Sequence, residues 1–233
     1  MSLTPTTIGF DADDTLWQNE QFYRLTEDRF AELVADHAEG SDLKGRLLDV
    51  ERRNLKLYGF GIKGFMLSMV ETAIEVTGGK VPTTVIEKIL AAGREMLAHP
   101  IEILPHVEET LDRLAGTYRM VLITKGDLFD QERKLAGSGL AKLFQAVEIV
   151  SEKNVETYRR IFDRHGDGPD RAVMVGNSLK SDIVPALEAG GWGVYIPHDL
   201  TWVFEHVEPP VDAPRFRQVA HLGELPELMS GLA

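Results

Sequence analysis

Six polar residues stand out because each lies at or just beyond the end of a short apolar, β-branched run. Asp11 and Asp13 follow Thr6 to Phe10, and Thr124 ends Arg119 to Thr124. Lys153 follows Ala146 to Val150, and Asn177 and Asp182 follow Arg171 to Gly176. As a set these side chains suit phosphoryl transfer. Two carboxylates two positions apart in a tight loop can divide the work, one attacking phosphorus and one moving a proton. A hydroxyl and an ammonium can hold phosphoryl oxygens, while carboxylate and amide oxygens bind a hard cation.

Taken singly, each residue has a duller role. An Asp or Thr after a strand commonly caps a helix or forms a turn. A lone Lys153 reads as a solvated surface lysine, and a lone Asp182 as a first-turn residue favoured by the helix dipole. Their joint placement outweighs those readings, except for Asp14, which is read as a turn or capping residue.

The elements that must position them alternate. After Pro100 the pattern gives helix His106 to Ala115, strand Arg119 to Thr124, helix Leu128 to Ala136, strand Ala146 to Val150 and helix Val155 to His165. Strand Arg171 to Gly176, helix Ser181 to Ala189 and strand Gly193 to Ile196 follow. Such alternation predicts an α/β fold, a doubly wound parallel sheet covered by helices on both faces, with ligands gathering outside the carboxyl ends of the strands. Between about Glu20 and Pro100 the period is helical, giving four amphipathic helices interrupted at Tyr58 to Gly64 and Thr77 to Pro82. The expected organisation is an α/β core from residues 1–19 and 101–233, with a helical bundle inserted at 20–100.

The segment IGFDADDTLW resembles the first motif of the haloacid dehalogenase superfamily, Asp-x-Asp-x-Thr after a hydrophobic strand. VLITKGD resembles the second motif, SEKNVETY the third and MVGNSLKSDIVPALEAG the fourth. Four motifs in order are far more specific than any one. The insert resembles the family's C1 cap in position more than in detail. The resemblance implies that Asp11 is a nucleophile forming an aspartyl-phosphate and that Asp13 protonates the leaving alcohol, then deprotonates the attacking water. It implies that Thr124 and the backbone amide of Lys125 hold the phosphoryl group, that Lys153 neutralises charge, and that Mg²⁺ is bound by Asp11, the Asp13 carbonyl, Asn177 and Asp182.

Asn177 departs from the family's usual aspartate, which lowers the charge offered to a cation by one. Asp13 disfavours dehalogenation, since dehalogenases resemble this chain but lack an acid there. Lys63 in the insert invites comparison with the Schiff-base lysine of phosphonate cleavage; with Asp13 present it is read either as a phosphoester contact or as a surface lysine. Substrate choice is expected from the cap, around Tyr58, Phe60, Lys63 and Phe65. A small phosphorylated metabolite is the expected substrate, with a phosphomutase, a phospho-acceptor signalling domain and a non-catalytic binding scaffold as alternatives.

Composition narrows the rest. The 233 residues, 43% hydrophobic, suffice for one large domain or a domain with an insert. A net charge of -12 argues against nucleic acid as a partner, because backbone binding relies on Lys and Arg displacing counterions. The absence of cysteine excludes disulfides, thiolate catalysis and sulfur-ligated metals. No secretory leader or transmembrane run is evident, so a cytoplasmic protein without membrane contact is expected. Oligomeric state is not legible.

Overall fold

The computed structural model describes residues 4–38 and 42–232; the few positions of the expected domain spans at 1–3, 39–41 and 233 lie outside the described residues. Six strands, β1 (Thr7–Phe10), β2 (Arg119–Lys125), β3 (Ala146–Val150), β4 (Ala172–Gly176), β5 (Trp192–Tyr195) and β6 (Phe216–Gln218), form one sheet in the order β3-β2-β1-β4-β5-β6. Every pairing is parallel. The chain builds outward from β1 to β3 and then returns to the other side of β1, so the strand order reverses between β1 and β4. That reversal opens a crevice at the carboxyl ends of these two strands.

The alternation of side chains along the central strands explains the two covered faces. Ile8, Phe10, Met120, Leu122, Val173 and Val175 pack with α5 (Val107–Leu114), α6 (Leu128–Ser138) and α9 (Leu225–Gly231). Their neighbours Val121, Ile123, Ala172 and Met174 pack on the opposite face with α7 (Val155–His165) and α8 (Val184–Glu188). Both faces are buried, which is why the strands read as continuous apolar runs.

The chain divides into two compact units: 1–20, 101–125 and 132–233 form one, and 21–100 with 126–131 the other. The second contains α1 (Glu20–Ala35) from Gln21 onward, α2 (Leu43–Tyr58), α3 (Ile62–Val76) and α4 (Thr83–Ala98). Phe30, Leu47, Phe65, Met69 and Ile89 centre its own apolar core. Asp42 caps α2 by accepting the Gly45 amide, and the glycines around Phe60, at φ 72° and 112°, supply the backbone that separates α2 from α3. Among the described residues no helix is long and apolar enough to cross a membrane.

The single helix expected over Ser181 to Ala189 is instead a π-helical turn, Leu179–Ile183, followed by the short α8. Pro185 is the cause, because it has no amide to donate to the Ser181 carbonyl. The Tyr158 hydroxyl donates to that carbonyl instead, at 2.9 Å. Strand β6 and helix α9 have no counterpart in the sequence reading. Of Phe216, Arg217 and Gln218 only the phenylalanine is buried, so this edge strand shows no apolar alternation.

Candidate active site

Strand β1 extends one hydrogen bond past its last residue, from the Asp11 amide to the Val175 carbonyl at 2.9 Å. Asp11 is thereby fixed in the crevice beside β4, 7% exposed. Its Oδ1 accepts from the Lys153 ammonium, which also donates to Asp182 Oδ1 at 2.7 Å. Its Oδ2 accepts from the Thr15 hydroxyl at 3.0 Å. Burial and then the neighbouring Asp182 push the Asp11 carboxyl up to about 7, against the pull of Lys153. Burial acts to lower the Lys153 ammonium, but Asp11 and Asp182 together hold it above its ordinary value. The direction that governs chemistry is the ion pair: a buried cation keeps two neighbouring carboxylates from sharing a site uncompensated.

Asp182 is fully buried, and its Oδ2 accepts the Ser178 amide at 3.0 Å. Gly176 makes this possible, since a Cβ there would lie 2.2 Å from Asp182 Oδ2. Thr124 is buried near the end of β2, in register with Ile149. Lys125 follows it, with Nζ donating to Ser181 Oγ at 2.8 Å and to Glu205. Asp13 is held differently from Asp11: its side chain is 22% exposed, and its Oδ1 accepts from Trp17 Nε1 at 2.7 Å and from Lys134 Nζ at 2.9 Å. Asp14 is a turn residue at φ 58° whose carboxylate accepts the Asn19 and Glu20 amides. Burial raises its carboxyl to about 6 despite His198 nearby.

No group of three acidic or imidazole side chains able to hold a metal occurs among the described residues. What converges is a mixed oxygen set. The inward atom of the Asn177 amide lies 3.2 Å from the Asp13 carbonyl oxygen and 3.2 Å from Asp11 Oδ2. With nitrogen inward, the amide donates to both oxygens. With oxygen inward, three acceptors face one another and call for a cation. Two oxygens bound side by side to one octahedral Mg²⁺ at about 2.1 Å lie about 3 Å apart, so this spacing fits such an ion. Asp182 has both oxygens engaged, by Lys153 and the Ser178 amide. Lys63 belongs to the helical unit, where its half-exposed ammonium pairs with Asp127 at 2.8 Å and lies 5.6 Å from the Phe129 ring centroid.

A family model described as haloacid dehalogenase-like hydrolase matches residues 5–190. The chain belongs to this family. It is 43% identical to a haloacid dehalogenase-like hydrolase from Xanthomonas campestris, with a TM-score of 0.88 over 98% of this chain and 92% of that one. It is 25% identical over 192 residues to the pyrimidine 5'-nucleotidase YjjG of Escherichia coli, 78% of this chain and 82% of that one. It is 33% identical over 111 residues to a glyceraldehyde 3-phosphate phosphatase of Methanothermobacter thermautotrophicus, a match that spans 45% of this chain and about half, 49%, of that protein.

Several residues of this hydrolase's site were given no role of their own by the sequence reading, although Thr15 and Trp17 lie within the first motif segment. Thr15 and Trp17 fold back onto the acidic loop, and Lys134 reaches it from α6. The signal for Lys134 was faint: a lysine next to Leu135 on the buried stripe of a helix. Glu205 had no signal, since it lies far along the chain on a 3₁₀ turn, Val203–Glu205. It nonetheless accepts from Lys125, Ser178 and Ser181. Burial acts to raise its carboxyl, but Lys125 and the two serine hydroxyls hold it below the ordinary 4.5.

A depressed folded-state pKa gives stabilisation that is present above the ordinary value and is lost as pH falls through the folded value. Glu205→Gln is therefore expected to cost about 1–3 kcal/mol at pH 7, as for other charged hydrogen bonds. The deficit should shrink once the wild-type carboxyl is protonated in acid. Urea denaturation at pH 7 and at successively lower pH measures it; an equal deficit throughout would assign the loss to packing alone.

Proposed function

We propose that this hydrolase is a magnesium-dependent phosphatase of small phosphorylated metabolites, working through an aspartyl-phosphate on Asp11. The observation that carries the reading is the division of one loop into two unlike carboxylates. Asp11 is buried against Lys153, while Asp13 is more exposed and accepts from Trp17 Nε1 and Lys134 Nζ. The phosphatase and nucleotidase relatives, which by name act on small phosphoesters, support the same class.

In this reading an Asp11 carboxylate oxygen forms a bond to phosphorus as the ester P–O bond breaks, and Asp13 gives its proton to the departing alkoxide. Asp13 then takes a proton from water as the water oxygen bonds to phosphorus and the aspartyl P–O bond breaks, releasing phosphate. The Thr124 hydroxyl and the Lys125 amide hold phosphoryl oxygens, and Lys153 offsets the charge gathered around Asp11. Asp11, the Asp13 carbonyl and Asn177 hold Mg²⁺, with Asp182 supporting them through Lys153 or at closer range. When bound, the ion supplies charge compensation between anionic nucleophile and anionic substrate. The helical unit, with Lys63 at the start of α3, sets substrate choice.

The test is phosphate release by the purified protein with Mg²⁺ from a panel of triose phosphates, sugar phosphates and nucleoside monophosphates. Inorganic phosphate is the expected product. Transfer to a second position of the same sugar would make the protein a phosphomutase, and a lasting acyl-phosphate without turnover would make it a phospho-acceptor.

Asn177 tests the cation assignment separately from turnover. Mg²⁺ prefers anionic oxygen, so Asn177→Asp should lower the Mg²⁺ concentration giving half of the ligand-induced rise in Tm. Asp182→Asn should raise it. Magnesium titrations followed by thermal unfolding read both midpoints. An unchanged midpoint in Asn177→Asp with a weakened Asp182→Asn would reduce Asn177 to a turn residue.

A further inference from the structure

Lys134 lies on the buried stripe of α6 with Asp130, Gln131 and Leu135, with only 7% of its side chain exposed. Its ammonium donates to Asp13 Oδ1 at 2.9 Å and to Asn19 Oδ1 at 2.7 Å, tying the acidic loop to the start of α1. The indole of Trp17, itself 1% exposed, donates to the same Asp13 oxygen at 2.7 Å. A carboxylate oxygen has two lone pairs, and these two N–H donors fill both on Oδ1. The arrangement serves either protonation state, because the carbonyl oxygen of a carboxylic acid also accepts two hydrogen bonds. Burying an ammonium in this way is unfavourable unless it is paired and hydrogen-bonded, and the carboxylate it pairs with at 2.9 Å is the one to which the proposed function gives proton transfer.

We propose that Lys134, with Trp17, is a positioning residue that locks Asp13 through Oδ1 and leaves proton transfer to Oδ2. This rests on the reading of Asp13 as the general acid and base. In the first half-reaction the Oδ2–H bond breaks and its proton goes to the leaving oxygen as the ester P–O bond opens. In the second, Oδ2 takes a proton from the water whose oxygen bonds to phosphorus. Freed from Lys134, the carboxylate swings about its χ angles, and a misplacement near 1 Å can cost about 100-fold in rate.

A merely structural tie between α6 and the loop would lower kcat/KM of all substrates alike. A positioning role affects the first half-reaction, read as kcat/KM, only where the leaving group needs a proton. Full-length wild type, Lys134→Met, Lys134→Arg, Trp17→Phe and Asp13→Asn are compared with Mg²⁺ on p-nitrophenyl phosphate, whose leaving group needs no proton, and on glycerol phosphate, whose leaving group does. Lys134→Met should lower kcat/KM, which reports the first half-reaction, by about 10- to 100-fold for glycerol phosphate and leave kcat/KM for p-nitrophenyl phosphate nearly intact, while kcat for both falls through the shared second half-reaction. Lys134→Arg should recover part of the loss, and Trp17→Phe should show the same split.

Equal loss of kcat/KM on the two substrates, or none on either, overturns the proposal. Should Lys134→Met fail to fold, the folded Trp17→Phe decides, and an unchanged substrate ratio there is again fatal. Asp13→Asn separates the two levels. If it shows no split, the proton-transfer reading itself fails; if it splits and Lys134→Met does not, only the role of Lys134 fails.

Discussion

Replacing Asp11 by asparagine is expected to abolish phosphate release, with a loss of at least about 10⁴-fold, the scale seen when a covalent nucleophile is removed. The amide is close in shape to the carboxylate but cannot attack phosphorus. The fold should survive, because Asn retains an oxygen for the Lys153 ammonium and Asp182 remains as the second partner of that lysine. Removing a carboxyl that burial and Asp182 have pushed up to about 7 also relieves strain in the protein without bound cation. Sign follows from linkage: a raised folded-state pKa gives stabilisation present below the unfolded value and lost as pH rises through about 7. In chelator, Asp11→Asn should therefore match or exceed wild-type Tm at pH 8. Phosphate release together with thermal unfolding monitored by circular dichroism measures both. A variant that kept most of its rate would remove Asp11 from covalent chemistry.

Lys153→Met should damage activity and stability together. Its ammonium is the cation between Asp11 and Asp182, and its side chain is 2% exposed. Deleting one partner of a buried ion pair leaves charge without compensation and typically costs 3–5 kcal/mol, so a loss of about that size is expected at neutral pH. Among the influences on Asp11, the lysine is the one that lowers its pKa, while burial and Asp182 raise it. Without Lys153 the Asp11 carboxyl climbs further. The folded variant then holds a proton that the unfolded chain releases, so its stability falls as pH rises and lies nearest wild type in mild acid. Turnover should fall by about 10²–10³-fold, as when one preorganised donor is removed from developing charge. Urea unfolding across pH, in chelator, checks the stability; an unchanged midpoint at neutral pH would mean that water replaces the ammonium.

The sheet was legible because both of its faces are covered, so the central strands β1, β2 and β4 appear as apolar runs, and these and the edge strand β3 each hand over to polar residues beyond the carboxyl end. That handover placed Asp11, Thr124, Lys153, Asn177 and Asp182 at strand ends, and Asp11, Lys153 and Asp182 are in direct contact. What the sequence hid depends on contacts distant along the chain. The π-helical turn at Leu179–Ile183 follows from Pro185 and from a tyrosine hydroxyl at Tyr158, and only the proline is visible locally. Lys134 meets Asp13 across 121 positions, and Glu205 meets Lys125 across 80. Strand β6 carries one buried residue, too little for a period.

The central claim is a covalent bond between Asp11 and phosphorus. Turnover with Mg²⁺ and a phosphoester, quenched in acid within the steady state and followed by peptide mapping with mass spectrometry, tests it directly. A phosphoryl group on Asp11, absent in Asp11→Asn and lost once the substrate is exhausted, is the predicted result. Steady turnover with no phosphoryl group on Asp11 at any quench time, in a Lys153-intact protein, would contradict it.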